Sequence, residues 1–329
     1  MREPKKVLPM VSLKVAVPKA PSIDIVMATY NGSKYLPEQL DSLLAQSWKN
    51  IRILVSDDGS TDNTLEILNE YGIRFPGLFF VEQNPVTLGP IGNFVRLMER
   101  TTADYVAFCD QDDIWLTGKL AQCMVSMLHI EIEKGHGVPV LVYTDMKLTS
   151  SDGTTQAESH WEKAGIRPRG ASFKNLLAQN LVTGCTMLAN RALINLAIPM
   201  PVKRVMMHDY WLALIASAFG VLHPIHKQTV LYRQHENNAV GAGRTMSIIE
   251  RLDRLRNDPK LENWLCAAGV QADAFLEAFG NQLTPKDQHA LRSIAGLYDK
   301  PWIMRNFELA RHGVRRTGLL NHLQFVIRL

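Results

Sequence analysis

Cysteine is scarce in this chain of 329 residues, and the four present (Cys109, Cys123, Cys185, Cys266) lie far apart with no CxxC pair. That spacing argues against a disulfide framework or a zinc site and fits a reducing compartment. Long apolar runs are missing too. The longest, Trp211 to Leu222, is interrupted by Ser217 and Gly220 and is too short to span a bilayer. The opening stretch, MREPKKVLPMVSLKVAVPKAP, is basic but broken by prolines and lysines. It lacks the apolar core of a signal peptide and reads as a flexible leader over residues 1–20. These absences predict a soluble, cytoplasmic protein.

Charge of one sign is also lacking over most of the chain. The formal net charge is +4, yet from Asp299 to Leu329 six basic residues stand against two acids, so the tail holds the whole excess. A general nucleic-acid-binding surface is therefore unsupported. Among short motifs, GxxxxGK[ST] and GxGxxG are absent, which removes a Walker phosphate cradle and a dinucleotide fingerprint. HExxH and GxSxG are absent as well, which removes zincin and α/β-hydrolase chemistry.

What is present is a strand–helix rhythm. Ile23–Tyr30, Ile51–Asp57, Leu78–Gln83 and Ala103–Asp110 read as strands, the first apolar enough to be buried on both faces. Between them run helical patterns. Ser33 stands where it could cap a helix carrying Leu36, Leu40 and Leu43; others carry Leu65, Leu68 and Tyr71, or run near Asn93–Arg100. Further on, Val140–Leu148 and Leu181–Asn190 read as strands, Thr149–Arg169 as loop, and Met206–Phe219 as helix. This pattern predicts an α/β fold with a mostly parallel sheet flanked by helices. After the Gly241-Ala242-Gly243 hinge only helical patterns follow, giving a catalytic-type domain over 21–243 and a helical region over 244–329.

In such sheets ligands gather at the carboxyl ends of strands. Three strands end in polar clusters: Thr29-Tyr30-Asn31, Asp57-Asp58-Gly59-Ser60 and Asp110-Gln111-Asp112-Asp113. For Asp57–Asp58 alone, turn chemistry is a sufficient explanation. The third cluster is sharper, because three carboxylates within four residues repel one another unless a cation neutralises them. Hard oxygen ligands suit Mg²⁺ or Mn²⁺, completed by water and substrate phosphate. The competing reading is a solvated acidic turn before the helix that starts near Thr117.

Taken in order, IDIVMATYNGSKYLPEQLDSLLAQSW, ILVSDDGSTDNT and DYVAFCDQDDIWLTGKL resemble family 2 glycosyltransferases of GT-A-type fold. NLVTGCTML, HDYWLALIASAFG and LYRQHENNAVGA are similar to its rhamnosyltransferase-like branch in bacterial surface-polysaccharide assembly. The likeness spans roughly Ser22–Gly243. It implies an inverting transferase that moves rhamnose or another deoxysugar from a dTDP donor to a glycan or lipid-linked acceptor, as in O-antigen synthesis. A UDP-hexose donor and a non-catalytic nucleotide- or sugar-binding protein are the alternatives; a nucleotidyltransferase is disfavoured by the missing phosphate loop.

The resemblance also implies roles. Ala28, Thr29 and Tyr30 would wall the base pocket. Asp58, or Asp57, would accept the N3–H of a pyrimidine, a donor that cytosine lacks. Asp110 would reach the ribose or the metal shell beside Gln111, Asp112 would bind the metal with Asp113 behind it, and His235 would reach the metal or diphosphate from a late loop. Asp209 would be the general base, although its place at a helix start also suits a dipole-stabilised acid. Gly184 would lie under the acceptor beside His208, and Trp115 and Trp211 are candidates for stacking on sugars, with burial in the core as the competing reading. In the tail, apolar Trp302–Phe307 and Leu319–Ile327 bracket the Arg311–Arg316 cluster. That composition suits either peripheral contact with an anionic membrane, at the inner face of the cell membrane, or packing on the catalytic domain.

Overall fold

The computed structural model describes residues 20–235 and 259–328. The leader before Ala20 and the Gly241–Gly243 hinge, with the domain boundary placed there, lie outside the described residues. In chain order the first half contains β1 (Ile23–Thr29), α1 (Leu36–Leu44), β2 (Ile51–Asp57), α2 (Thr64–Arg74), β3 (Phe79–Gln83), α3 (Gly89–Arg100), β4 (Tyr105–Cys109), the two-residue β5 (Ile114–Trp115) and α4 (Lys119–Lys134). There follow β6 (Val140–Ser150), β7 (Thr155–Ala157), α5 (His160–Lys163), α6 (Phe173–Ala178), β8 (Met187–Asn190), α7 (Arg191–Ala197), α8 (His208–Phe219) and β9 (Val221–Gln234). The helical region supplies α9 (Pro259–Phe279), α10 (Pro285–Ala295), α11 (Trp302–His312) and α12 (Leu319–Arg328).

One sheet runs in the order β3-β2-β1-β4-β8-β6-β9-β5, with β7 paired to β6. β3, β2, β1 and β4 are mutually parallel, as is β6 with β9, whereas β8 runs antiparallel to both of its neighbours. Because Thr29 pairs with Asp57, and Met27 with Cys109, the three strands that end in polar clusters finish side by side. β1 and β4 are almost wholly buried, as expected for strands covered by helices on both faces. One apolar cluster joins Val26, Phe108 and Leu141 to α8 and to Leu265, Phe275 and Leu291 of the helical region. The other lies on the opposite face, between α1, α4 and residues such as Ile25, Ile53 and Val142.

Several elements differ from the sequence reading. Ser33 does not cap α1, whose N-cap is Tyr35; the Ser33 N–H instead donates to Asp62 Oδ2 at 3.1 Å. α3 begins at Gly89, four residues before the expected Asn93. Its proline falls in the first turn, where the missing N–H costs nothing, and Asp58 caps it from a distance. Within Leu181–Asn190 only Met187–Asn190 is strand, since Gly184–Thr186 forms a 3₁₀ turn. The stretch from Thr149 to Arg169 holds β7 and α5 as well as loop. The long strand β9 is not apparent in the sequence, because Pro224 and the polar His223–Gln228 segment break the apolar pattern.

Candidate active site

A cavity of about 730 Å³ opens at the carboxyl ends of β1, β2 and β4. It gathers ten of the residues singled out from sequence: Ala28, Thr29, Tyr30, Asp58, Asp110, Gln111, Asp112, Gly184, His208 and Asp209. Asp57 does not line it. Its carboxylate is fully buried in the turn after β2, accepting hydrogen bonds from Thr29 Oγ1 (3.0 Å) and the backbone N–H groups of Gly59 (3.1 Å) and Ser60 (2.9 Å). Of the two aspartates offered for base recognition, only Asp58 faces the cavity.

Asp58 also orders the loop around it. Oδ1 accepts from Asn84 Nδ2 and the Leu88 N–H, and Oδ2 from the Gly89 N–H, each at 2.8 Å. Leu88 is the N-cap of α3 and has no capping side chain of its own, so Asp58 satisfies donors that the helix start leaves open. A carboxylate offers about four acceptor sites; three are filled here, which leaves one for a ligand.

Gln111 acts on the backbone of the neighbouring strand end. Its Oε1 accepts the Tyr30 N–H at 2.9 Å and its Nε2 donates to the Tyr30 carbonyl at 3.0 Å. Gly32 makes the clamp possible, because a Cβ there would stand 2.2 Å from Gln111 Oε1.

The acidic cluster divides by exposure. Asp110 and Asp112 face the cavity, whereas Asp113 is fully buried and its Oδ1 accepts the Arg233 N–H at 3.2 Å. Loss of solvent, and then the charges of Asp112 and Asp209, push the Asp110 carboxyl above the usual carboxylate range. Asp113 is raised well above the usual carboxylate range by burial and by the same crowding. Carboxylates of Asp110 and Asp113 and the Sγ of Cys185 lie within 4.8 Å of one another. Burial holds the Cys185 thiol well above its ordinary value, so it stays protonated and is a poor partner for a hard cation.

His235 arrives from the end of β9, with Nε2 2.8 Å from Asp112 Oδ2 and its ring stacked on Tyr35 at 5.0 Å. Arg233 braces the same corner by donating to the Asp112 carbonyl at 3.1 Å, pairing with Glu38, and lying 4.4 Å over Tyr35. His235 lines a second cavity of about 660 Å³, which shares Tyr30, Gln111 and Asp112 with the first. Asp112 lines both cavities, the first with Asp110 and the second with His235, but among the described residues the ligand-type groups found within 4.8 Å of one another are Asp110, Asp113 and Cys185. The carboxylates are the donors that suit Mg²⁺ or Mn²⁺.

Asp209 occupies the first turn of α8. Its Oδ1 accepts from Asn180 Nδ2 at 3.0 Å and its Oδ2 from the Gly184 N–H at 2.9 Å. Burial pushes its carboxyl up to about 6 despite these hydrogen bonds, which places it where a carboxylate is an effective base near neutrality. His208 stacks on Phe94 at 4.0 Å and Phe108 at 5.4 Å. Burial lowers its pKa to about 3, so the ring is neutral. Neither ring nitrogen has a hydrogen-bond partner among the described residues. A Cβ at position 184 would lie 3.0 Å from His208 Nε2, so the glycine gives the imidazole its room.

Both tryptophans considered for sugar stacking are placed elsewhere. Trp115 is 2% exposed and the Lys119 ammonium lies 4.2 Å over its ring. Trp211 is 1% exposed and packs on Phe275 and Phe279. The tryptophan that does line the cavity is Trp264 on α9, together with Asn93, Asn180 and Met207. No local motif marks Trp264; only the folding of α9 against the catalytic face brings it there.

The model of Glycosyl transferase family 2 matches residues 24–195. The dTDP-rhamnosyl transferase RfbG of Shigella flexneri is 31% identical over 240 residues, which cover 70% of this chain and 79% of that protein. An uncharacterized protein of Mycobacterium tuberculosis, Rv1520, is 26% identical over 217 residues, covering 65% of this chain and 59% of its own length. Among solved structures, S. aureus TarS 1–349 in complex with UDP superposes with a TM-score of 0.52 at 16% identity, covering 84% of this chain and 91% of that one. That likeness concerns the fold, which is the GT-A-type arrangement of a curled sheet with flanking helices. The chain belongs to glycosyl transferase family 2.

Proposed function

We propose that this chain is an inverting glycosyltransferase that moves rhamnose, or another deoxysugar, from a dTDP donor to a hydroxyl of a glycan or lipid-linked acceptor in bacterial surface-polysaccharide synthesis such as that of O-antigen. The observation that carries the reading is one cavity holding Asp58, the Asp110–Asp112 pair and Asp209 together. The likeness to the Shigella rhamnosyl transferase supports the choice of donor.

In this reading the pyrimidine sits by Ala28, Thr29 and Tyr30 and donates N3–H to the open acceptor site of Asp58. Asp110, Asp112 and His235 would hold a divalent cation, which when bound offsets charge on the departing diphosphate. Asp209 takes the proton from the acceptor hydroxyl. The freed oxygen pair forms the new bond to the anomeric carbon from the face opposite the diphosphate, whose C1–O bond breaks with both electrons leaving on phosphate. His208 lines the acceptor side of the cavity with both ring nitrogens closed to solvent, and Gly184 lets the substrate approach.

The C-terminal helices support peripheral membrane contact. Phe325, Leu309 and Val314 are buried, so one side packs on the protein. The other side exposes Trp302, Ile303, Phe307, Leu319 and Leu323, with Arg311 and Arg315 also exposed. Apolar anchors beside arginines suit an anionic leaflet. Among the described residues no helix is long and apolar enough to cross a membrane.

Thermal shifts with a panel of nucleotide sugars and Mn²⁺ test the donor assignment, since a bound ligand stabilises by mass action. dTDP-rhamnose should raise Tm most, and free UDP and dTDP should compete far better than CDP or GDP. A largest shift with a UDP-hexose would move the donor to that sugar; equal shifts with all four nucleotides would remove Asp58 as a reader of the base.

A further inference from the structure

We infer that Trp264, carried by the C-terminal helical region, is the stacking platform of the acceptor sugar, so that the helical region completes the active site. The proposal rests on the transferase reading and adds a subsite to it. Trp264 reaches the same cavity as His208, Asp209 and Met207.

Its ring is held in place rather than loosely presented. Phe325 of α12 meets it edge-on at 5.4 Å and 89°, and the Arg316 guanidinium lies 5.7 Å from its centroid. Phe325 is itself 1% exposed, which makes a firm backing. The loop leading into α8, whose first turn bears Asp209, is tied to the same helix as Trp264, because the Met206 N–H donates to Gln271 Oε1 of α9 at 2.8 Å. Trp264 and the base therefore sit on elements joined by a direct hydrogen bond.

A second observation points to a polar ligand at this end. His208 lines the cavity, is 4% exposed, and neither ring nitrogen has a hydrogen-bond partner among the described residues. Buried polar atoms are normally paired; both nitrogens are closed to solvent in this state, so a ligand hydroxyl pairs with them only once the ring or its cover shifts. An aromatic face and unpaired polar groups in one cavity match a pyranose, which has an apolar C–H face and a hydroxyl rim. The ligand class is thus a pyranoside whose attacking hydroxyl is presented to Asp209.

The test is a heteronuclear NMR titration of full-length protein carrying ¹⁵N-labelled tryptophan, whose six indole N–H signals include that of Trp264, assigned with Trp264→Phe. Methyl α-L-rhamnopyranoside and methyl β-D-glucopyranoside are the probes, each with and without dTDP. At least one pyranoside should shift the Trp264 signal, and Trp264→Ala should weaken its binding about tenfold or more while dTDP affinity stays within about twofold. Trp264→Phe, which keeps a smaller ring, should fall between. A pyranoside that binds without moving the Trp264 signal, or the absence of pyranoside binding to protein saturated with dTDP, overturns the subsite. Failure of dTDP to bind contradicts the transferase reading separately, since the pyranoside titration without nucleotide reports on Trp264 alone.

Discussion

The side-chain amide of Gln111 grips both backbone groups of Tyr30, accepting its N–H at 2.9 Å and donating to its carbonyl at 3.0 Å. This ties the acidic loop after β4 to the strand end expected to wall the nucleotide base. Gln111→Ala should raise the dTDP dissociation constant about tenfold, the scale of one or two net hydrogen bonds at about 0.5–1.5 kcal/mol each. Gly32→Ala should weaken binding similarly in the native background, because the new Cβ meets Gln111 Oε1. In the Gln111→Ala background the same change should cost little, as the clashing atom is gone. Additive losses, measured by calorimetry, would show that Gly32 and Gln111 act independently.

Metal dependence has a direct check at Asp112. Asp112→Asn should abolish transfer, as should EDTA, while Tm without nucleotide stays close to native. The carboxylate faces the cavity and pairs with the His235 side chain at its rim, so the fold should tolerate the change. Full turnover in EDTA, or by the variant, would remove the cation from the account.

The exposed face of α11 and α12 can be tested without disturbing the packed one. Truncation after about residue 298 would strip Leu309, Val314 and Phe325 from the core and would unfold the region for that reason alone. Replacing Ile303 and Phe307 by serine leaves those buried residues alone and keeps Trp302, whose Nε1 donates to the Val326 carbonyl at 3.2 Å. Co-sedimentation with anionic liposomes should fall several-fold, and native binding should weaken with salt, since the arginine contribution is screened. Unchanged sedimentation would leave this face without a membrane role.

How the site could be anticipated follows from which features are local. Asp58, Asp110 and Asp112 were legible because each closes a buried apolar run, and parallel neighbours bring such ends together. Asp209 was legible only through the family resemblance, since its place at the start of an apolar helix equally suits a dipole-stabilised acid. The choice between Asp57 and Asp58 was not, since it depends on which carboxylate turns inward to cap its own turn. Trp115 sits beside the acidic motif yet is covered by Lys119, whereas Trp264 is far from every motif and reaches the cavity by tertiary packing. β9, which delivers His235, was hidden by a proline and a polar stretch in mid-strand. Sequence spacing cannot report contacts of that kind.

The pH profile should carry the signature of the buried carboxyl. Burial raises Asp209 to about 6, and only its ionised form can take a proton. With saturating donor and cation, so that the bound metal keeps the likewise raised Asp110 ionised, kcat should therefore be flat above about pH 7 and fall tenfold per unit below about 6. A native profile flat down to pH 5 would mean that the base is a group with an ordinary carboxylate pKa.

The most direct measurement compares Asp209→Asn with the native chain in kcat and in donor affinity. Asn180 Nδ2 and the N–H groups of Gly184 and Tyr210 all donate to the Asp209 carboxylate, so the new amide must lose at least one of them unless Asn180 flips; Tm should be checked alongside. The nucleotide is expected at Asp58 and the cation rim, not at Asp209. The account predicts a fall in kcat of about 10²-fold or more, the scale for losing a general base, with dTDP affinity within about twofold of native and loss of the acid limb in whatever rate remains. A loss of donor affinity in proportion to rate, in a variant with native Tm, would contradict it and place Asp209 in donor binding instead.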